Sequence, residues 1–127
     1  MNRAAAALLA LLVLAPAADA SVIIDEVRQL QAAEMELAAA LEAFDEIKVL
    51  QLGRSFPQAL ARLQTSNSPP ECKLAGASLQ SFLKSYLISG SHRGAKLQAD
   101  ANDWTQHMNA CEQRVGLPSK RALYPDL

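Results

Sequence analysis

The sequence predicts an all-α protein, a small three- to four-helix bundle containing an antiparallel helical hairpin, about residues 69–89 and 92–115, tied by a disulfide. Three observations predict it. Apolar residues recur at steps of three and four through most of the chain, the spacing that keeps one helix face in register. Aromatic residues make up 5% of the chain against 50% hydrophobic residues overall, so the core is built from Leu and Ala, which favours packed helices over a β-sandwich. Cys72 and Cys111, the only cysteines, fall at mirror-related places on two matching apolar stripes.

The first element reads as an export signal. Met1-Asn2-Arg3 is a short basic start, Ala4 to Leu14 an apolar run too short to span a bilayer, and Ala18-Asp19-Ala20 an A-x-A cleavage site after Pro16. A cleavable signal peptide over 1–20 is therefore expected, with a mature chain from Ser21 and a periplasmic or secreted location. The alternative for this segment is an uncleaved amphipathic or membrane-anchoring helix. No cysteine stands at the junction, so lipid-anchored export is not indicated, and no later apolar run approaches about 18 residues, so no stable membrane span is expected after signal removal.

Residues 21–116 then make a single helical domain and 117–127 a C-terminal tail. The first mature helix is expected from about Val22 to Leu52, with Ile23, Val27, Leu30, Leu37, Leu41, Phe44 and Ile47 on its apolar stripe and Gly53 at its end. Phe56 to Gln64 is expected as a short helix with Pro57 at its first position and Ala59, Leu60 and Leu63 facing inward. Ser68-Pro69-Pro70-Glu71 has the form of a capping box and starts the hairpin.

The hairpin carries a register. Cys72, Ala75, Leu79, Phe82 and Tyr86 form one stripe, and Leu97, Ala101, Trp104, Met108, Cys111 and Val115 the other, with Ser89, Gly90, Ser91 and Gly94 as turn-formers between them. Folding the chain there pairs Cys72 with Cys111, Ala75 with Met108, Leu79 with Trp104, Phe82 with Ala101 and Tyr86 with Leu97, and each pair of numbers sums to 183. In an antiparallel pair these positions share layers, small residues under large ones. Both thiols face the seam, and a bridge follows if their Cα atoms lie within about 7 Å. The same sum places Gly76 opposite His107. Gly116 and Pro118 end the last helix.

Charge is balanced overall at −1 but uneven along the chain. Residues 21–52 hold Asp25, Glu26, Glu34, Glu36, Glu42, Asp45 and Glu46 against Arg28 and Lys48, a local net of −5, while residues 53–127 carry +4. Either the first helix lies along the hairpin with complementary surfaces, or its acidic face docks a basic partner. Basic residues are scattered, so nucleic acid is not an expected partner.

Catalytic equipment is thin. Two histidines, His92 and His107, are too few for a converging metal site once the cysteines are bridged, so no metal and no cofactor is expected. Cys72 and Cys111 are too far apart for C-x-x-C redox chemistry, and Asp100 with Asp103 or Asp45 with Glu46 are common on solvated helix faces. The expected class is a non-enzymatic exported protein-binding module, such as an accessory subunit of an envelope or secretion assembly, a chaperone-like factor or an inhibitor. Its partner would be another exported or envelope protein. A first helix of about 30 residues would measure about 45 Å and overhang hairpin helices of about 30 Å. The overhang makes Ile23, Ile24 and Val27, together with Leu123 and Tyr124 of the tail, the expected partner surface and a route to homo-oligomers. The alternative is a non-covalent haem-binding electron carrier of four-helix-bundle type, with His107 and a methionine such as Met35 as ligands.

Overall fold

A computed structural model describes the backbone of residues 2–89 and 94–123 and the side chains of 21–89 and 94–123. The described chain is four helices: α1 (Asn2–Glu42), α2 (Glu46–Thr65), α3 (Pro70–Ser89) and α4 (Ala95–Val115). The expected all-α bundle and its disulfide are both present. The hairpin of α3 and α4 is its most closely packed pair, α2 lies along α3, and α1 closes the bundle against α2 with lighter contact to α4 and α3.

The hairpin forms as its stripes require. Cys72 and Cys111 are bridged with a Cα separation of 4.6 Å, and both are fully buried. Ala75, Leu79, Phe82, Leu97, Ala101, Trp104 and Met108 are all buried, and Tyr86 packs against them half-buried. The register has a second mark in polar residues. Asp100 accepts hydrogen bonds from Ser85 at 2.7 Å and Ser81 at 3.2 Å, and these serines bracket position 83, the mirror of 100. His92 and the turn residues Gly90 and Ser91 lie outside the described residues.

The first half of the chain departs from expectation. A helix from Val22 to Leu52 does not form; α1 stops at Glu42 and α2 starts at Glu46. The break is a Schellman cap: Asp45 N–H donates to Ala40 C=O at 2.8 Å and Phe44 N–H to Leu41 C=O at 3.2 Å, with Phe44 left-handed at φ 55°. Asp45 then caps α2 by accepting from Lys48 N–H at 3.1 Å. α1 runs without a break for 41 residues from Asn2; counted from Ser21, where the expected mature chain would begin, its stretch to Glu42 would measure about 33 Å at 1.5 Å per residue, close to the 20 residues of α2 and α3.

Gly53 and Pro57, expected as a terminus and a helix start, both lie inside α2. An interior proline costs about 3 kcal/mol. Burying Val49, Phe56 and Leu63 on the inner face of the same helix returns about 1.5–3 kcal/mol each, which outweighs it. The capping box at Ser68 is also replaced. Pro70, one residue later than expected, is the first helical residue, Pro69 C=O takes the first amide bonds from Cys72 and Lys73, and the Ser68 hydroxyl donates to Glu26 of α1. Gly76 lies against α2: a Cβ there would lie 2.6 Å from Leu63 Cδ2 and 2.9 Å from Leu60 Cδ1. A side chain would hold α2 and α3 apart.

Candidate functional site

Two places stand out from this frame, one at each end of the bundle. At the first, α4 ends in a Schellman cap with Gly116 at φ 77°, Gly116 N–H donating to Gln113 C=O and Leu117 N–H to Glu112 C=O. The chain then crosses from α4 to α1 as an extended strap. Under it lie two buried carboxylates, Glu34 of α1 and Glu112 of α4. One oxygen of each takes three donors. Glu34 Oε2 accepts from Trp104 Nε1 at 2.8 Å and from the backbone N–H groups of Ala122 at 3.1 Å and Leu123 at 3.0 Å. Glu112 Oε2 accepts from Gln31 Nε2 at 2.7 Å, Lys120 N–H at 3.0 Å and Arg121 Nη2 at 2.6 Å.

Arg121 completes the arrangement. Its side chain is 10% exposed; Nη2 also lies 3.3 Å from Glu34 Oε1, and the guanidinium stands 5.4 Å from the centre of the Trp104 ring. Burial pulls the guanidinium below its ordinary pKa, and the charges of Glu34 and Glu112 pull it back up. Removing water from two carboxylates is costly unless donors replace it, and here six directed donors do so. Glu34 was legible in principle. It fills the step between Leu30 and Leu37 on the apolar stripe of α1, so a carboxylate had to enter the core there.

At the other end the pattern reverses. Phe44 at the α1–α2 break is 80% exposed, Ile47 70% and Ile88 of α3 79%, with Leu50 and Leu87 also open. Gly53 lies against Leu87, so the start of α2 and the end of α3 meet there and these residues share one end of the molecule. Exposed Glu42, Asp45 and Glu46 surround Phe44 and Ile47. Phe44 and Ile47 were expected inside the stripe of a longer helix; the Schellman turn rotates α2 onto a new face and puts them outside.

The residues expected to form a partner surface divide. Val27 and Leu123 are buried inside the chain, so neither is free to meet a partner; Ile23 and Ile24 are half-buried, and Tyr124 lies outside the described residues. The tail to Leu123 packs on the bundle. The acidic first segment is not one solvated face either, because Glu34 is interior and Glu26 accepts from Ser66 and Ser68. Met35, the methionine expected beside His107 in the haem alternative, is 58% exposed. No group of three or more metal-ligating side chains occurs among the described residues.

Fold and sites together define a disulfide-tied, four-helix protein with a buried ionic strap at one end and an open apolar surface at the other. No family model, curated protein or solved structure matches the chain. Among the described residues no helix is long and apolar enough to cross a membrane.

Proposed function

We propose that this chain is a non-enzymatic, exported helical module that binds another exported or envelope protein through the end bearing Phe44, Ile47 and Ile88. The observation that carries the reading is Phe44. A left-handed phenylalanine costs about 1–3 kcal/mol in backbone strain, and an exposed ring recovers none of it by packing. A residue that serves neither backbone nor core is explained by contact with something outside the chain.

The neighbours support a partner of particular chemistry. Acidic Glu42, Asp45 and Glu46 around an apolar centre match a cleft lined by apolar side chains and rimmed by Lys or Arg, charges that steer approach and reject acidic surfaces. The signal-like start and a buried disulfide favour an oxidising compartment. An accessory subunit of an envelope assembly, a chaperone-like factor and an inhibitor all fit such a surface.

A photo-reactive amino acid placed at Ile47, with a control at Gln113 on α4, tests the proposal in the native compartment. The expected result is one adduct of defined mass from position 47 alone, lost on Phe44→Asp and on paired Glu42→Lys and Glu46→Lys. Equal adducts from both positions, or none from a chain that sediments as a monomer, would overturn it.

A further inference from the structure

The strap at the opposite end is held in a way that packing alone does not require. Six polar contacts are directed at the tail: three reach backbone N–H groups, two reach the Arg121 guanidinium and one from Gln31 Nε2 reaches Pro118 C=O at 3.3 Å; the Trp104 ring lies under the guanidinium as a seventh contact. The bundle's side of the interface comes from two helices that otherwise meet lightly. Without the strap, Glu34 and Glu112 would face one another with no cation between them. That is the design of a recognition slot: fixed acceptors for an extended backbone, an acidic aromatic-floored position for one guanidinium, and an apolar position two residues on, filled here by buried Leu123.

The cis ligand also fits imperfectly. Among the described residues, Arg121 Nη1 is buried without a hydrogen-bond partner, and Glu34 Oε1 has only the 3.3 Å approach of Nη2. A fork-on-carboxylate pairing would use both nitrogens and both oxygens. Among the described residues the slot therefore leaves capacity unused at the position where arginine is read.

From this we infer that the groove between α1 and α4 is a peptide-binding site for extended segments carrying arginine, a small residue and leucine in succession. The chain's own Arg121-Ala122-Leu123 occupies it in cis. A trans segment competes with the tail, so its apparent affinity is reduced by the fraction of molecules whose tail is docked. This site is separate from the Phe44 surface and stands or falls independently of it.

The test uses the disulfide-intact full chain, its Arg121→Ala variant, and a labelled synthetic peptide of residues 117–123, Leu-Pro-Ser-Lys-Arg-Ala-Leu. Trp104, the only tryptophan, reports occupancy through its emission. The expected result is saturable peptide binding to the Arg121→Ala chain at least about tenfold tighter than to the unaltered chain, because the cis competitor is weakened. Trp104 emission should return toward its unaltered value as the peptide fills the slot. A peptide with alanine for arginine should bind at least about tenfold more weakly, the loss of a charge-assisted pair. If circular dichroism shows that Arg121→Ala has lost its helices, Leu123→Ala, which loosens the tail and keeps its charge, takes its place with the same expected outcomes. No saturable binding to a folded variant, or equal binding of the arginine and alanine peptides, would overturn the inference.

Discussion

Helices α1 and α4 end in the same hydrogen-bonded cap and differ in the residue that turns it. At the end of α4 the left-handed position is Gly116, which adopts it without a Cβ clash, and the chain goes on to bury Arg121 and Leu123. At the end of α1 it is Phe44, which is strained there and leaves its ring in solvent. One cap leads into a buried ionic interior and the other into an open apolar surface. On the proposed reading, the difference marks where the molecule spends stability on contact instead of folding.

The largest expected effect tests the buried ionic end. Arg121→Ala removes the only cation paired, among the described residues, with the two buried carboxylates, and breaking such a pair costs about 3 kcal/mol, moderated here because a loosened strap lets water reach them. Urea unfolding of the oxidised protein measures it. Next come the two glycines of the α2–α3 seam. Gly76→Ala drives a methyl into Leu60 and Leu63 and should cost about 2 kcal/mol, because Leu63 is buried and has nowhere to go. Gly53→Ala meets only the Cδ1 of Leu87, which is half in solvent and can swing aside, so its midpoint should stay within about 0.5 kcal/mol of the parent. Equal losses at both would erase the contrast between the ends. Gly116→Ala forces a Cβ into the left-handed region and should cost about 1 kcal/mol.

The smallest expected effect is one of pH. Burial, the largest single influence, raises the Asp100 carboxyl, but hydrogen bonds from Ser85 and Lys96, the charge of Lys96 and a bond from Ser81 together hold it below its ordinary value of 3.8. A carboxyl whose folded pKa is depressed adds stability above its unfolded pKa and loses it as pH falls through the folded value. Asp100→Asn should therefore flatten the acid limb of the stability profile below about pH 4, measured by unfolding midpoints across that range. The Lys96 side chain is largely exposed, so its share is small.

The hairpin was readable in the sequence because its information is redundant: two cysteines, two stripes and one sum agree, and the Ser81–Asp100–Ser85 contacts repeat it. Gly116 was readable as a stop for the same reason that it works as one. The α1–α2 break was not, because Ala-rich sequence favours helix on both sides and phenylalanine is a poor residue for the turn it occupies. Gly53 and Pro57 misled in the opposite direction, local helix breakers overruled by the burial of Val49, Phe56 and Leu63. The Glu34 side of the strap depended on contacts 88 and 89 residues apart in the chain, which no local pattern encodes. Only Glu34, set into an apolar stripe, gave it away in part. The apolar end followed from the unread break.

The most direct test of the claim that the Phe44 end is held for contact at a cost to stability is the urea midpoint of Phe44→Gly, followed by Trp104 fluorescence. Glycine relieves the left-handed strain, gives back part of the gain as unfolded-state entropy, and loses little burial from a ring already in solvent. The account expects a higher midpoint at unchanged slope, a net gain of about 0.5–1 kcal/mol. A lower midpoint would mean that the ring supports the fold where it stands, and would contradict the account.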